Sequence, residues 1–199
     1  MSDMDEIKSA REIAAEKVAG LGEATEEERL EWKYVPEGER LATQYLTEGG
    51  NLVLELGKFD EKARKHVARG VANVLVRSIN LPDSDPARSS NKRAMDGLKL
   101  VKTNQIALEN VFSQMRRLFD HYSGQGKEQR RQAYQALKAE FEAQVRQSLQ
   151  QQLGAFGRFQ IDIEKQPQFQ AEWRRRQAQL DSQYHTLLNE LRQELLTIP

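Results

Sequence analysis

The tightest constraint on this chain is a run of apolar side chains at strict helical spacing. Leu98, Val101, Gln105, Leu108, Phe112, Met115, Phe119 and Tyr122 recur in alternating steps of three and four, with Gln105 the one polar member. Such a run lays a stripe along one helix face, and this period is the seam by which a helix packs lengthwise on another helix. Ile106, Val111 and Leu118 broaden the stripe beyond a two-stranded seam, so the pattern predicts a bundle in which this helix has more than one neighbour. A second stripe, Tyr134, Leu137, Phe141, Val145, Leu149 and Leu153, follows Ser123-Gly124-Gln125-Gly126. Paired glycines there read as a helix stop and a short connection. Counted from Leu98 and Lys127, the two helices are about 37 and 40 Å long at 1.5 Å per residue. Matched helices joined by a short turn predict an antiparallel hairpin reversing at residues 123–126.

The flanking segments extend this frame. Ile7, Ala10, Ala14 and Val18 predict a short helix over 7–19, ended by Gly20 and Gly22. Thr25 and Glu28 form a capping-box pair opening a helix that runs to about Tyr34, where Pro36 interrupts. A further turn or two reaches Leu46 before Gly49-Gly50. Leu52, Leu56, Phe59, Ala63, Val67, Val71 and Val74 favour one helix to Ile79; the competing reading is strand–helix–strand, because Leu52, Leu54 and Leu56 alternate and 71–79 is rich in β-branched residues. Asn80–Pro86 is a turn, with Asp85-Pro86 as N-cap and first-turn pair. Phe159, Ile161 and Ile163 alternate with polar residues, the period of a half-buried strand. A lone strand needs a pairing partner; the other reading is an extended connector. Pro167 then opens a helix carrying Trp173, Leu180, Tyr184, Leu187, Leu191 and Ile198. The fold class expected is all-α: an elongated, coiled-coil-like bundle built on a long antiparallel helical hairpin, with one short strand near 159–164 as the exception. Its parts are an acidic helical arm (1–50), a helix plus hairpin (51–154), a connector or strand (155–168) and an amphipathic helix (169–199).

Composition narrows the chemistry. Among 199 residues there is no cysteine, which excludes disulfides and thiolate chemistry. No stretch approaches the ~20 apolar residues of a membrane span, and the acidic start, Met1–Glu6, lacks a signal-peptide apolar region; a cytoplasmic protein is expected. His66, His121 and His185 fall on three predicted helices, but Ala63, Leu118 and Ser182 stand three before them, so the Glu-x-x-His pairs of a helical di-metal site are missing. Gly57-Lys58 and Gly126-Lys127 are not followed by Ser or Thr and complete no phosphate loop. No catalytic residue, metal, cofactor or small-molecule substrate is expected.

Charge is the remaining signal. Thirty Lys+Arg balance thirty Asp+Glu over the whole chain, yet the balance is uneven. Residues 1–50 hold six basic and thirteen acidic groups, net −7; residues 51–131 hold sixteen and nine, net +7; the rest are neutral. Arg116, Arg117, Arg130 and Arg131 flank the expected hairpin turn and would gather at its tip, a contact for an acidic protein segment or for nucleic-acid phosphates. The function expected is protein interaction or assembly, a self-associating helical scaffold or adaptor, with a nucleic-acid-associated accessory protein as the alternative and a helical-bundle enzyme or metal protein as the third reading.

Overall fold

A computed structural model of the protein describes residues 24–153 and 162–199, and every regular element among them is helical. Helix α1 spans Glu26–Thr47, α2 Leu52–Leu56, α3 Glu61–Ser78, α4 Asp85–Val101, α5 Gln105–His121, α6 Lys127–Leu153 and α7 Pro167–Thr197. A π-helical stretch, Tyr122–Gly126, links α5 to α6, and a 3-10 turn, Ile163–Lys165, precedes α7. The chain is all-α, as its periodicities predict. The helix expected over 7–19, together with Phe159 and Ile161 of the expected strand, lies outside the described residues. Two compact units divide between Val71 and Ala72, inside α3.

In the first unit, α1 starts on the expected capping box: Glu28 N donates to Thr25 Oγ1 at 3.2 Å, and Thr25 N donates to Glu28 Oε2 at 2.8 Å. Contrary to expectation, α1 runs through Pro36 without a break. A proline inside a helix forfeits one backbone bond; tertiary contact just beyond it, at buried Gly38, Leu41 and Ala42, compensates. That contact is a backbone-to-backbone crossing. A methyl group added at Gly38 would sit 2.0 Å from Val67 O, and one added at Gly70 would sit 2.1 Å from Val35 O. Only glycine on both helices lets α1 and α3 approach this closely. Residues 52–79 form neither one helix nor strand–helix–strand. The chain breaks at Gly57–Asp60, because local caps outcompete the continuous stripe: Asn51 Oδ1 accepts from Val53 N and Leu54 N, and Asp60 Oδ1 accepts from Ala63 N at 2.8 Å.

In the second unit the heptad run is likewise cut, at Lys102–Asn104. Asn104 Oδ1 caps α5 through Ala107 N at 3.1 Å, while Gln105 Nε2 donates to Lys99 O and Lys102 O, closing the end of α4. The polar entry in the seam is therefore a helix cap. The expected turn at 123–126 is absent as well: His121, Tyr122 and Lys127 all keep right-handed helical angles, so α5, the π stretch and α6 follow one another as a single helical run. The spacing of partners shows why. Leu108, Met115 and Tyr122 are seven apart; the next members packed on α7 are Arg130 and Leu137, one residue late. A π turn accommodates one extra residue and restores the seam.

Helix α7 runs antiparallel beside this rod. Thr103 N donates to Pro199 O at 2.9 Å, Arg130 pairs with Asp181, and Arg176 pairs with Glu140 at 2.8 Å. The expected hairpin of 98–122 against 127–153 is therefore absent, and the antiparallel pairing is instead α5–π–α6 against α7. On α7 the buried stripe is Tyr184, Leu188 and Leu195, whereas Leu187 is 49% exposed. Ile163 is not in a strand: Gln166 N donates to Ile163 O at 3.0 Å within the 3-10 turn, and its side chain is buried with Leu137 and Phe169. Tyr134, Phe141, Val145 and Trp173 pack around them, with edge-on ring pairs 5.0–5.5 Å apart.

Candidate functional site

Two features of the second unit bring charged and polar side chains together. The first is a cleft of about 310 Å³ whose lining comes mainly from α4 and α5. Ser84 starts α4 by accepting from Ala87 N at 3.4 Å, one residue earlier than expected, with Pro86 in the first turn. Behind the cleft, the buried Asn91 side chain clasps the chain leaving α3. Its Oδ1 accepts from Asn80 N at 2.8 Å and its Nδ2 donates to Asn80 O at 2.6 Å. Arg192 of α7 closes the same corner by donating to Ile79 O and to Asn80 Oδ1, a cation at a helix C-terminus. Burial holds the Arg192 guanidinium below its ordinary pKa.

The floor is apolar, with half-buried Met95 and Phe119 over fully buried Phe112. The rim carries Arg88, Lys92, Lys99 and Arg116 against Asp96 and Asp120. Arg116 donates to Glu109, and Lys99 Nζ lies 4.0 Å from the same carboxylate and 5.9 Å from the Phe112 ring centre. The hydrogen bond from Arg116, with smaller charge effects from Arg116 and Lys99, keeps the Glu109 carboxyl below the usual carboxylate range.

The second feature is the π junction. Arg130 lies with its guanidinium carbon 3.9 Å above the Tyr122 ring centre, donates to Tyr122 O at 3.0 Å, and pairs with Asp181 at 2.8 Å. Its side chain is 14% exposed and that of Asp181 9%, so this is a buried ion pair with its hydrogen bonds made. Tyr184 stacks edge-on against Tyr122 at 5.1 Å, and its hydroxyl lies 2.8 Å from His121 Nδ1. Gly126 makes room for it: an added methyl would fall 2.7 Å from Tyr184 Oη. Burial first, and then the Asp181 charge, push the Tyr122 phenol above its ordinary pKa. Beside the junction, His121, Tyr184, Gln129, Gln179, Leu180 and Leu187 help line a second depression of about 500 Å³.

The four arginines expected at a common tip are not together. Arg116 and Arg131 are separated by about 22 Å of helical run, and each arginine is engaged locally. Arg116 binds Glu109, Arg117 donates to Ser113 O, Arg130 enters the buried pair, and Arg131 grips Glu128 with two bonds of 2.9 and 2.6 Å. Without a turn at 123–126 there is no tip to gather them. The histidines are scattered too: His66 is buried in the first unit, His121 meets Tyr184, and His185 is exposed. Among the described residues no group of three or more His, Cys, Asp or Glu could hold a metal ion, and no helix is long and apolar enough to cross a membrane. Asn91 carries no sequence signal beyond a polar residue on an otherwise apolar-packed helix, and Asp181, which by spacing shares a helix face with His185 as a surface pair, is instead buried against Arg130.

These features define an all-α helical protein whose second unit combines a charged cleft with a buried polar latch. Residues 54–197 match the Family of unknown function (DUF6657), and the chain belongs to that family. No curated protein and no solved structure matches it.

Proposed function

We propose that this is a protein-interaction and assembly protein, a helical scaffold or adaptor that associates with copies of itself. The observation that carries the reading is Ile106, 79% exposed on the first turn of α5, with Leu100 at 49% and Leu196 at 37% nearby in the chain's own ties. All three lie within three residues of the junction where Lys102 donates to Ile198 O and Thr103 to Pro199 O. The pinned junction limits the backbone ordering that association would require, and fully burying Ile106 contributes about 1.5–3 kcal/mol, with less from the partly covered Leu100 and Leu196. A second copy meeting the same face is the simplest closed arrangement. The nucleic-acid alternative loses its main support, because the arginines on which it rested are dispersed and paired. Sedimentation velocity in moderate salt tests the proposal. A concentration-dependent oligomer that Ile106→Asp converts to monomer is expected; a monomer throughout the micromolar range overturns it.

A further inference from the structure

We infer that two copies of the chain meet in a two-fold contact in which Ile106 of each enters the depression beside the π junction of the other. The inference rests on the self-association reading and adds where the exposed side chain goes. Ile106, Asn110, Gln114 and Leu118 stand four residues apart on α5, and residues at that spacing form one ridge on a helix surface. The ridge begins at Ile106, 79% exposed, passes through exposed Asn110 and Gln114, and ends at half-buried Leu118 in the wall of the depression. Projection and hollow therefore lie on one helix, about 18 Å apart along its axis.

This arrangement names a second copy as the occupant. Two ridges of this kind pack alongside each other when their helices cross at about 50°, the commonest contact between helices. Laid antiparallel about an axis between Asn110 and Gln114, the ridge is its own complement. Ile106 of one copy faces Leu118 of the other, and each Asn110 faces a Gln114, amide to amide, with donors and acceptors on both sides. One axis fills both hollows at once; an unrelated partner would have to supply a projection and a hollow of its own at the same separation.

Charge agrees with self-pairing. A two-fold axis sets like groups close to like, so a charged ridge would repel its copy. None of the four ridge residues is charged, and none of the side chains lining the depression is Asp, Glu, Lys or Arg. Half-buried Leu118 and Leu180 give the hollow an apolar base, and exposed Gln129, Gln179 and Gln183 a neutral rim. Arg117, beside the ridge, lies about 15 Å along the helix from its own twin, beyond the ~8 Å Debye length at physiological salt. Glu109, on the far flank, is already held by Arg116. The walls are preformed by the buried Arg130–Asp181 pair and by the Tyr184 hydroxyl 2.8 Å from His121 Nδ1, which lowers the cost of binding.

Charge exchange at the axis tests the geometry, with sedimentation velocity of the full chain as the readout. Asn110 and Gln114 are exposed, so replacing both should leave the fold intact, and circular dichroism checks this. Asn110→Glu with Gln114→Glu should weaken self-association at least about tenfold, and so should Asn110→Lys with Gln114→Lys. Mixing the two doubly substituted chains in equal amounts should restore it, because opposite charges then face each other. The chain has no cysteine, so Ile106→Cys mixed with Leu187→Cys should give a disulfide between the two variants on mild oxidation, in preference to either variant linked to itself. Association that survives both double substitutions, a mixture that stays dissociated, or Ile106→Cys linking mainly to itself overturns this pairing while leaving self-association through another contact. An associating parent whose mixed cysteine variants do not cross-link assigns the depression to a different occupant and likewise overturns it. A parent chain that stays monomeric throughout the micromolar range overturns both proposals.

Discussion

Gly38→Ala sets two large effects against each other, and the structure says which wins. Glycine inside a helix is unfavourable by about 1 kcal/mol relative to alanine, so on propensity alone the substitution stabilises α1. The added methyl, however, would lie 2.0 Å from Val67 O, 2.9 Å from Val67 C and 2.9 Å from Val71 N. Ordinary contact begins near 3.4 Å, which leaves a shortfall of about 1.4 Å. The obstructing atoms are backbone, so no rotamer change relieves them, and α1 and α3 must move apart. That movement loosens the packing of Ala42, Val67 and Val71, all fully buried. Overpacking of this severity belongs at the upper end of the ~1–3 kcal/mol range. After subtracting the propensity gain, a net loss of about 2 kcal/mol is expected, and Gly70→Ala, with a 2.1 Å approach to Val35 O, should lose a similar amount. The double variant should lose less than the sum, because helices parted by one methyl have room for the other. Urea unfolding followed by far-UV circular dichroism measures the loss. In a Trp173→Phe background, Trp32 of α1 is the remaining tryptophan and reports on the first unit. An increase in stability of either single variant refutes the backbone crossing.

Asp181→Ala should cost about 3–5 kcal/mol, because it leaves the Arg130 charge buried without its partner; Arg130→Met with Asp181→Leu should recover most of that loss. Chemical denaturation of the three variants checks both outcomes, and a mild loss in the single variant contradicts the burial of the pair. Asn91→Ala removes both hydrogen bonds to the Asn80 backbone, and because Asn80 is exposed and its freed groups can turn to water, the loss is about 0.5–1.5 kcal/mol for each bond; a melting temperature within error of the parent refutes the clasp. Phe112→Asp puts an unpaired charge at a position with 0% exposure, and loss of cooperative melting is expected; unchanged melting contradicts its place in the core. The Glu128 carboxyl, held by hydrogen bonds from Arg131 and then Gln132, titrates at about 2 against an ordinary 4.5. Its favourable contribution is therefore present above pH 4.5 and disappears as pH falls through about 2. Carbon-detected NMR should show it ionised well below its neighbours, and Arg131→Gln should raise the midpoint; an ordinary midpoint in the parent refutes the bidentate contact.

Caps and stripes were legible in the sequence because they are local. Thr25 and Glu28 satisfy orphan donors within one helical turn, and the seams through Phe112 and Leu137 follow from a period of 3.6 residues. The breaks were less legible. A stripe can continue across a cap, as it does from Leu98 to Leu108 over the stop at Lys102–Asn104, because two helices meeting there contribute to the same core. The polar Gln105, with Thr103 and Asn104 before it, was the available sign of that stop. Gly38 and Gly70 left less trace: each reads as a weak helix position until a second helix, distant in sequence, supplies the carbonyl that excludes a methyl group.

The four-residue stretch Ser123–Gly126 shows why the candidate site could not be placed from sequence. Two glycines between amphipathic stripes fit a reversal and a π turn equally well, since both interrupt α-helical hydrogen bonding. What separates them is the partner: α7 meets Tyr122 and Arg130, eight residues apart, on one face. A single extra residue in a continuous helix satisfies that spacing, and a reversal does not. The choice moves every charge beyond it. With a reversal, Arg130 and Arg131 return beside Arg116 and Arg117 as an exposed basic tip. With a π turn, Arg130 enters the rod's interface with α7 and requires Asp181, while Arg116 remains on the cleft rim. One backbone decision therefore exchanges an exposed basic cluster for a buried latch with Arg116 left apart on the rim of a separate cleft, which is why the net +7 of the middle segment does not by itself locate a surface.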